Sequence, residues 1–267
     1  MISERKLTHN TAVIEQGAKI AESAEIGAYA YISAEVVIGE NTVVSPHACI
    51  YGKTTIGSNN RIFSHAVVGS IPQDLKFKGE SSELIIGDGN TIREFTLINT
   101  GTEGGGNKTI IGNNNLLMGY VHVAHDCIIG DNCILANGAT LAGHVVLGNG
   151  VVVGGLTPVH QFVHIGDLAM LAGASAVSQD IPPYCLAEGN RAKLRGLNLT
   201  GLRRHADKES IDALKIAYKA LFASGEPLKE SAAKILETSD NEMIKNMCNF
   251  IINTTRGIPY HSKEVGE

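Results

Sequence analysis

Aliphatic residues return every six positions along most of this chain. From Ile14 the series runs Ile20, Ile26, Ile32, Ile38, Val44, Ile50, Ile56, Ile62 and Val68, all of them β-branched. It resumes in the same phase at Ile86, Ile92 and Ile98. After a one-residue slip it continues from Ile111 through Leu117, Val123, Ile129, Leu135, Leu141, Leu147, Val153, Val159, Ile165 and Leu171 to Val177. A period of six does not fit an α-helix. As a multiple of two it lets every marked side chain point the same way from short strands separated by turns. Aliphatic–glycine pairs at Ile38-Gly39 and Ile56-Gly57, then at Ile111-Gly112, Ile129-Gly130, Leu147-Gly148 and Ile165-Gly166, recur every 18 residues within each group. Three hexads therefore make one coil, and the pattern predicts a mainly β protein, a parallel β-helix of triangular cross-section. The paired glycines are expected at a corner with positive φ. Each inward aliphatic contributes roughly 1.5–3 kcal/mol of burial. A β-sandwich of short strands would not hold one phase for so long.

Two stretches break the pattern. Between Val68 and Ile86 the in-phase positions are Asp74 and Glu80, and an aliphatic core cannot take unpaired carboxylates, so SIPQDLKFKGESSE is expected to leave the helix as a loop over about 69–85. The glycine-rich NTGTEGGGNKTI predicts a second, mobile excursion over 99–110. Long loops on a rigid scaffold tend to carry function. The hexads stop near Gln179-Asp180-Ile181-Pro182-Pro183, and beyond Ser210 the spacing turns helical, with Ile211, Leu214, Ala217, Tyr218 and Leu221 on one face. Ser239-Asp240 is read as the cap of a further helix with Met243, Met247, Phe250 and Ile251 as its stripe. The expected organisation is a β-helix over 1–190 and a small C-terminal α-helical domain over 191–267.

Composition narrows the function. Hydrophobic residues make up 43% and aromatics only 5%, with no Trp and 30 Gly, so the core is aliphatic and rich in turns. A net charge of -5 argues against nucleic acid as a partner. MISERKLTHN lacks the apolar stretch of a signal peptide, and no run is long enough to span a bilayer. The five cysteines form no CxxC and read as reduced thiols, so a cytoplasmic protein without stable membrane insertion is expected.

His122, His125, His144, His160 and His164 cluster in the last repeat block. His125 lies two residues after the inward Val123, at a corner, and Asp126 follows it directly. A carboxylate beside a histidine fixes its tautomer and raises its basicity, the arrangement of a general base. Gly143 is one coil further on, about 4.8 Å away, and leaves a backbone N–H open to a ligand. A base and an oxyanion donor one coil apart suit acyl transfer. His144 stacks likewise on Asp126. The H-x-x-H spacing of His122 and His125 leaves a zinc site as an alternative, since three histidines can suffice. Arg191, Lys193, Arg195, Arg203 and Arg204 fall in a segment without acidic residues, as a surface for phosphates or an acidic carrier would.

The strings YVHVAHDCIIGDNCILANGATLAGHVVLG, IPQDLKFKGE, GGLTPVHQFVHIG and QDIPPYCLAEGNRA closely resemble the UDP-N-acetylglucosamine O-acyltransferase family of hexapeptide-repeat enzymes. The resemblance spans nearly the whole chain and weakens in the C-terminal helices. It implies a left-handed β-helix, although the general crossover rule favours the right hand. It also implies a cytoplasmic homotrimer with active sites between subunits. The implied reaction moves an (R)-3-hydroxyacyl group from acyl carrier protein to the glucosamine 3-hydroxyl of UDP-N-acetylglucosamine, the first step of lipid A biosynthesis. The acyl donor rides on the carrier's phosphopantetheine, so neither a metal nor an organic cofactor is expected. His125 is then the general base, Asp126 its orienting partner and Gly143 the oxyanion donor. His122, His144, His160 and Gln161 would bind sugar or acyl groups. Gln73, Asp74 and Lys76 would hold the donor, Gly173 would leave room for a long acyl chain, and Asn198 and Arg204 would bind the nucleotide. Thr200 and His205 depart from the family's usual Glu and Arg. Acylation of a 3-amino-3-deoxy sugar nucleotide by the same groups is the alternative.

Overall fold

The computed structural model describes residues 7–223 and 225–260. Its β part is built from sheets of eight, eight and ten strands, in which each strand up to Met170–Leu171 pairs in parallel with the third strand before or after it in the chain. Val13–Ile14, Tyr31–Ile32, Cys49–Ile50 and Val67–Ser70 begin the first sheet, and Leu97–Asn99, His122–Val123, Thr140–Leu141 and Pro158–Val159 complete it. The chain thus winds as a three-sided prism, one sheet per side.

The marked aliphatics fill the prism. From Ile26 to Val177 they are at most 2% exposed, whereas Ile14 in the first coil is 36% exposed. A second inward position precedes each of them by two residues and carries small side chains, among them Ala30, Ala48, Ala66, Val121, Ala139 and Val151. Cys127 and Cys133 occupy this stripe as small apolar groups, and burial pushes their thiols up to about 12 and about 11. All five cysteines are free. Near one corner the same stripe holds buried Asn60, Asn90 and Asn115, each accepting from the backbone N–H of the next coil.

The paired glycines do not take positive φ. The left-handed backbone falls two residues later, at Asn41, Asn59, Gly89, Asn114, Asn132, Gly150 and Leu168. The glycines are required for space instead. A Cβ on Gly39 would lie 2.6 Å from the carbonyl carbon of Gly57, and one on Gly130 would lie 2.9 Å from that of Gly148. Successive coils touch backbone to backbone there.

Both loops leave the prism where the first sheet turns into the second, and both are shorter than expected. The flanking strands Val67–Ser70, Glu83–Ile86 and Lys108–Ile111 extend into the ranges read as loop. Glu83 ties three coils through Lys53 (3.2 Å) and Lys108 (2.9 Å), which hold its carboxyl below the usual carboxylate range.

The 190/191 boundary falls in the turn of a hairpin. Cys185–Glu188 continues the third sheet in parallel, and Lys193–Leu197 returns antiparallel to it. Helices follow: α1 (Leu199–His205), α2 (Lys208–Ala223), α3 (Leu228–Thr238) and α4 (Glu242–Asn253). α2 buries Ile211, Leu214, Ala217 and Leu221 as the spacing predicts. α4 starts later than expected, capped by Asn241, whose Oδ1 accepts from Met243 and Ile244 N–H. Its buried face is Ile244, Met247, Cys248 and Ile251, rotated from the expected stripe. The helices dock on the prism through Asp180, which accepts from the Thr254 hydroxyl, and through Asn246, which donates to the Tyr184 hydroxyl and Asp167. None of the described helices is long and apolar enough to cross a membrane.

Candidate active site

Strand His122–Val123 runs into the corner from which both loops emerge. Asp126 sits there with φ 60°, a conformation that an aspartate tolerates better than most residues. Its N–H donates to Thr109 Oγ1 at 2.9 Å. His125 Nδ1 lies 2.7 Å from Asp126 Oδ2, with the carboxylate side chain 1% exposed and the imidazole 13%. Thr102 completes the carboxylate's surroundings: its N–H donates to Oδ1 at 2.8 Å and its hydroxyl to Oδ2 at 2.6 Å. A carboxylate facing donors on both oxygens assigns the imidazole proton to Nδ1, which leaves the Nε2 lone pair free to accept a proton.

The strand register sets His122–Val123 against Thr140–Leu141 and so brings Gly143 under the imidazole. A Cβ on Gly143 would lie 2.5 Å from His125 Cε1 and 2.6 Å from Nε2, so only glycine lets the ring rest there. The Gly143 carbonyl accepts from Phe162 N–H at 3.1 Å, while its own N–H has no partner among the described residues. Gln161 lies one coil beyond at the same corner.

His144 is held between two rings. It meets His125 edge-on at 5.1 Å and stacks on Phe162 at 4.3 Å. Its Nε2 is 3.8 Å from Asp126 Oδ2. Burial lowers its pKa, opposed in part by the Asp126 charge, and the charges of Asp74 and Lys76 on the first loop act on it in opposite senses. His122 is lowered chiefly by burial and faces the Leu97 carbonyl through Nδ1 at 3.3 Å. Both imidazoles favour the neutral form in the fold. Their protonation state costs no stability above the ordinary value of about 6.5, and stability is lost as pH falls from there through their lowered values. Proton-coupled NMR titration is expected to place both midpoints below about 6.5; a midpoint above it would contradict this burial.

The other expected residues divide by corner. Asp74 Oδ1 accepts from Lys76 N–H at 2.9 Å, and Gln73 is exposed beside them. His160 lines a cleft of about 400 Å³ on the outer face of the first sheet, with Thr140, Pro158, Ala176 and Arg191. Gly173 lies instead at the corner between the third and first sheets, where a Cβ would sit 3.4 Å from the Gly155 carbonyl oxygen. Asn198 lies at the remaining corner. Its side chain caps α1 by accepting from Gly201 N–H at 3.0 Å, and it donates to the Leu168 carbonyl at 2.9 Å. The amide assigned to the nucleotide by resemblance is therefore largely committed to holding α1 on the prism. Arg204 is exposed at the end of α1, and Arg195 is partly neutralised by Glu188 at 3.5 Å.

The second loop is anchored rather than free, because Thr102 grips Asp126. Thr102, Gly105 and Thr109 were not singled out by the periodicity, and the run of glycines was the only hint of their close approach. The metal reading also changes. Among the described residues, the group whose ligand atoms lie within 4.8 Å of one another is His125, Asp126 and His144, not the H-x-x-H pair. A cation on Asp126 Oδ2 would displace the Nδ1–H and hydroxyl donors already there, so the donor set suits a proton-transferring pair better.

A prism of six-residue repeats carrying a histidine–carboxylate pair over an open glycine amide defines a hexapeptide-repeat acyltransferase. Residues 108–143 match the family model for bacterial transferase hexapeptide (six repeats), and residues 180–259 match that for UDP N-acetylglucosamine O-acyltransferase, domain 2. The chain is 67% identical over 96% of its length to the acyl-[acyl-carrier-protein]–UDP-N-acetylglucosamine O-acyltransferase of Sulfurovum sp. (strain NBC37-1), covering 98% of that relative. It is 62% identical over 96% of its length to the protein of the same name from Aliarcobacter butzleri (strain RM4018), covering 98% of it. The solved UDP-N-acetylglucosamine acyltransferase from Campylobacter jejuni superposes with a TM-score of 0.92 at 54% identity, over 95% of this chain and 99% of that one. The chain belongs to the UDP-N-acetylglucosamine O-acyltransferase family, and its prism is that family's left-handed parallel β-helix followed by a small helical domain.

Proposed function

We infer that this enzyme transfers an (R)-3-hydroxyacyl group from acyl carrier protein to the 3-hydroxyl of UDP-N-acetylglucosamine, the first step of lipid A biosynthesis. The observation that carries the chemistry is the free Nε2 of His125 beside the unpartnered N–H of Gly143. Nε2 takes the proton of the 3-hydroxyl as its oxygen attacks the thioester carbonyl. Asp126 stabilises the imidazolium, and Gly143 N–H donates to the oxyanion. The attack forms the ester C–O bond, and collapse of the tetrahedral intermediate re-forms the carbonyl and breaks the C–S bond. The departing phosphopantetheine thiolate takes the proton from Nε2, which restores the neutral imidazole. A thioester is already activated, so the chemistry calls for neither a metal nor an organic cofactor. The names of the relatives favour a hydroxyl over an amine acceptor.

Gly173, Asn198 and Arg204 lie on corners away from His125, so their assigned roles call for a neighbouring subunit, and we read the working unit as a homotrimer. A second observation supports self-association. Tyr29, His47, His65, Phe95 and Tyr120 stack one per coil along the corner between the third and first sheets, with centroids 5.0–5.3 Å apart, and Tyr29, Phe95 and Tyr120 are exposed. Five free thiols fit a reducing cytoplasm.

Turnover of UDP-N-acetylglucosamine with a set of (R)-3-hydroxyacyl thioesters of acyl carrier protein, run beside the 3-amino-3-deoxy acceptor, tests the reaction. Ester formation on the 3-hydroxyl is expected. Amide formation alone would transfer the assignment to the amine, and no acylation of either would overturn it.

A further inference from the structure

Asp126 Oδ2 has two imidazoles within reach, His125 Nδ1 at 2.7 Å and His144 Nε2 at 3.8 Å. Something must decide which of them the carboxylate serves. Thr102 donates to both oxygens, N–H to Oδ1 and O–H to Oδ2, and so fixes the plane of the group. Gly105 closes the other side, where a Cβ would lie 2.0 Å from Asp126 Cγ and 2.3–2.4 Å from its oxygens.

The loop that supplies these contacts is itself braced. The Thr102 carbonyl accepts from Gly105 N–H at 3.0 Å and Asn107 N–H at 2.8 Å. Glu103 N–H donates to Glu80 Oε1 of the first loop at 3.3 Å. Thr102 is 6% exposed, so water does not compete strongly for its hydroxyl.

We propose that Thr102 and Gly105 are positioning residues for the acyl transfer: they clamp the Asp126 carboxylate so that Oδ2 meets His125, which fixes the Nδ1–H tautomer and aims Nε2 at the substrate hydroxyl. The proposal rests on the acyl-transfer reading above for its kinetic consequence, but not for its structural one. Without the Thr102 hydroxyl the carboxylate is free to turn towards His144, and His125 loses the acceptor that selects its tautomer.

The test compares Thr102→Val, which keeps the shape and removes the hydroxyl, with Thr102→Ser, which restores it, and with Gly105→Ala, which pushes on the carboxylate from the other side. The readouts are kcat and KM for both substrates, and the ¹⁵N shifts of the His125 ring in the unliganded enzyme. Thr102→Val is expected to lower kcat about tenfold with KM within about twofold, since the group it touches does not contact substrate. Thr102→Ser is expected within about twofold of the parent. Gly105→Ala is expected to lower kcat roughly 100-fold, the cost of a small misplacement of a reacting group. In Thr102→Val and Gly105→Ala the ¹⁵N shifts move from a single Nδ1–H tautomer towards a mixture.

Unchanged kcat and unchanged His125 shifts in Thr102→Val would overturn the clamp, as would a Thr102→Ser enzyme no better than Thr102→Val. If valine prevents folding, Gly105→Ala with unaltered His125 shifts overturns it equally. A parent enzyme that transfers no acyl group would defeat the acyl-transfer reading alone, because the ring shifts test the clamp without turnover.

Discussion

His125→Ala is expected to lower kcat by about 10³-fold or more while the protein keeps its fold. The two halves of this outcome have separate causes. The imidazole is the group with a free lone pair beside the open Gly143 amide, so its loss removes the proton acceptor and leaves only the oxyanion donor and substrate binding. The ring lies on an outer corner and contributes nothing to the aliphatic interior. The Asp126 carboxylate that it leaves behind still accepts two bonds from Thr102 and is not stranded. Single-turnover kinetics and a thermal melt measure the two halves. Retention of more than a tenth of the parent rate would mean that another group takes the proton, and His144 would be the first to test.

Gly39→Ala is expected to destabilise the protein by roughly 3 kcal/mol, and Gly150→Ala by only about 1–2 kcal/mol. Conformational preference alone ranks them the other way, since Gly150 has φ +66° and Gly39 has ordinary φ. The space around them reverses the order. A methyl at position 39 would meet Gly57 C at 2.6 Å, Gly57 O at 2.7 Å and Ser58 N at 2.9 Å, all backbone atoms in a neighbouring coil. A methyl at position 150 would meet the end of the Leu168 side chain, which can rotate. Melting temperatures compare the pair, and a larger drop for Gly150→Ala would refute the view that these glycines exist for coil-to-coil contact.

That contrast also marks how far the amino-acid pattern could be read. Hexads report which side chains point inward, so the prism, its three-hexad coil and the stacking of His125 on Gly143 follow from counting. The role of Gly39 and its equivalents does not, because contact between coils separated by 18 or more residues leaves the same letter as a left-handed turn. The small inward stripe that includes Cys127 and Cys133 was hidden because alanine, valine and cysteine mix there without a fixed identity. Thr102 and Gly105 lie in an excursion with no period, and their purpose is visible only once the loop is seen against Asp126. In the helical domain, α3 is short and its sequence LKESAAKILET is polar enough to mask its buried Leu228 and Ala232. Asn198, assigned to nucleotide by resemblance, also caps α1 and donates to the Leu168 carbonyl, a structural part that its letter alone did not show.

Ile56 stands opposite Ile86, and Ile86 opposite Ile111, although the intervening stretches differ in length from the later coils. The surplus in both cases is expelled at the corner that bears His125, and the walls resume in register. Growth of this scaffold is therefore quantised along its walls and free at that one vertex. A single deletion within a wall would turn a run of aliphatics out into water, whereas insertions at the vertex add material directly over the reacting groups, so the chemistry can be retuned without rebuilding the shaft beneath it.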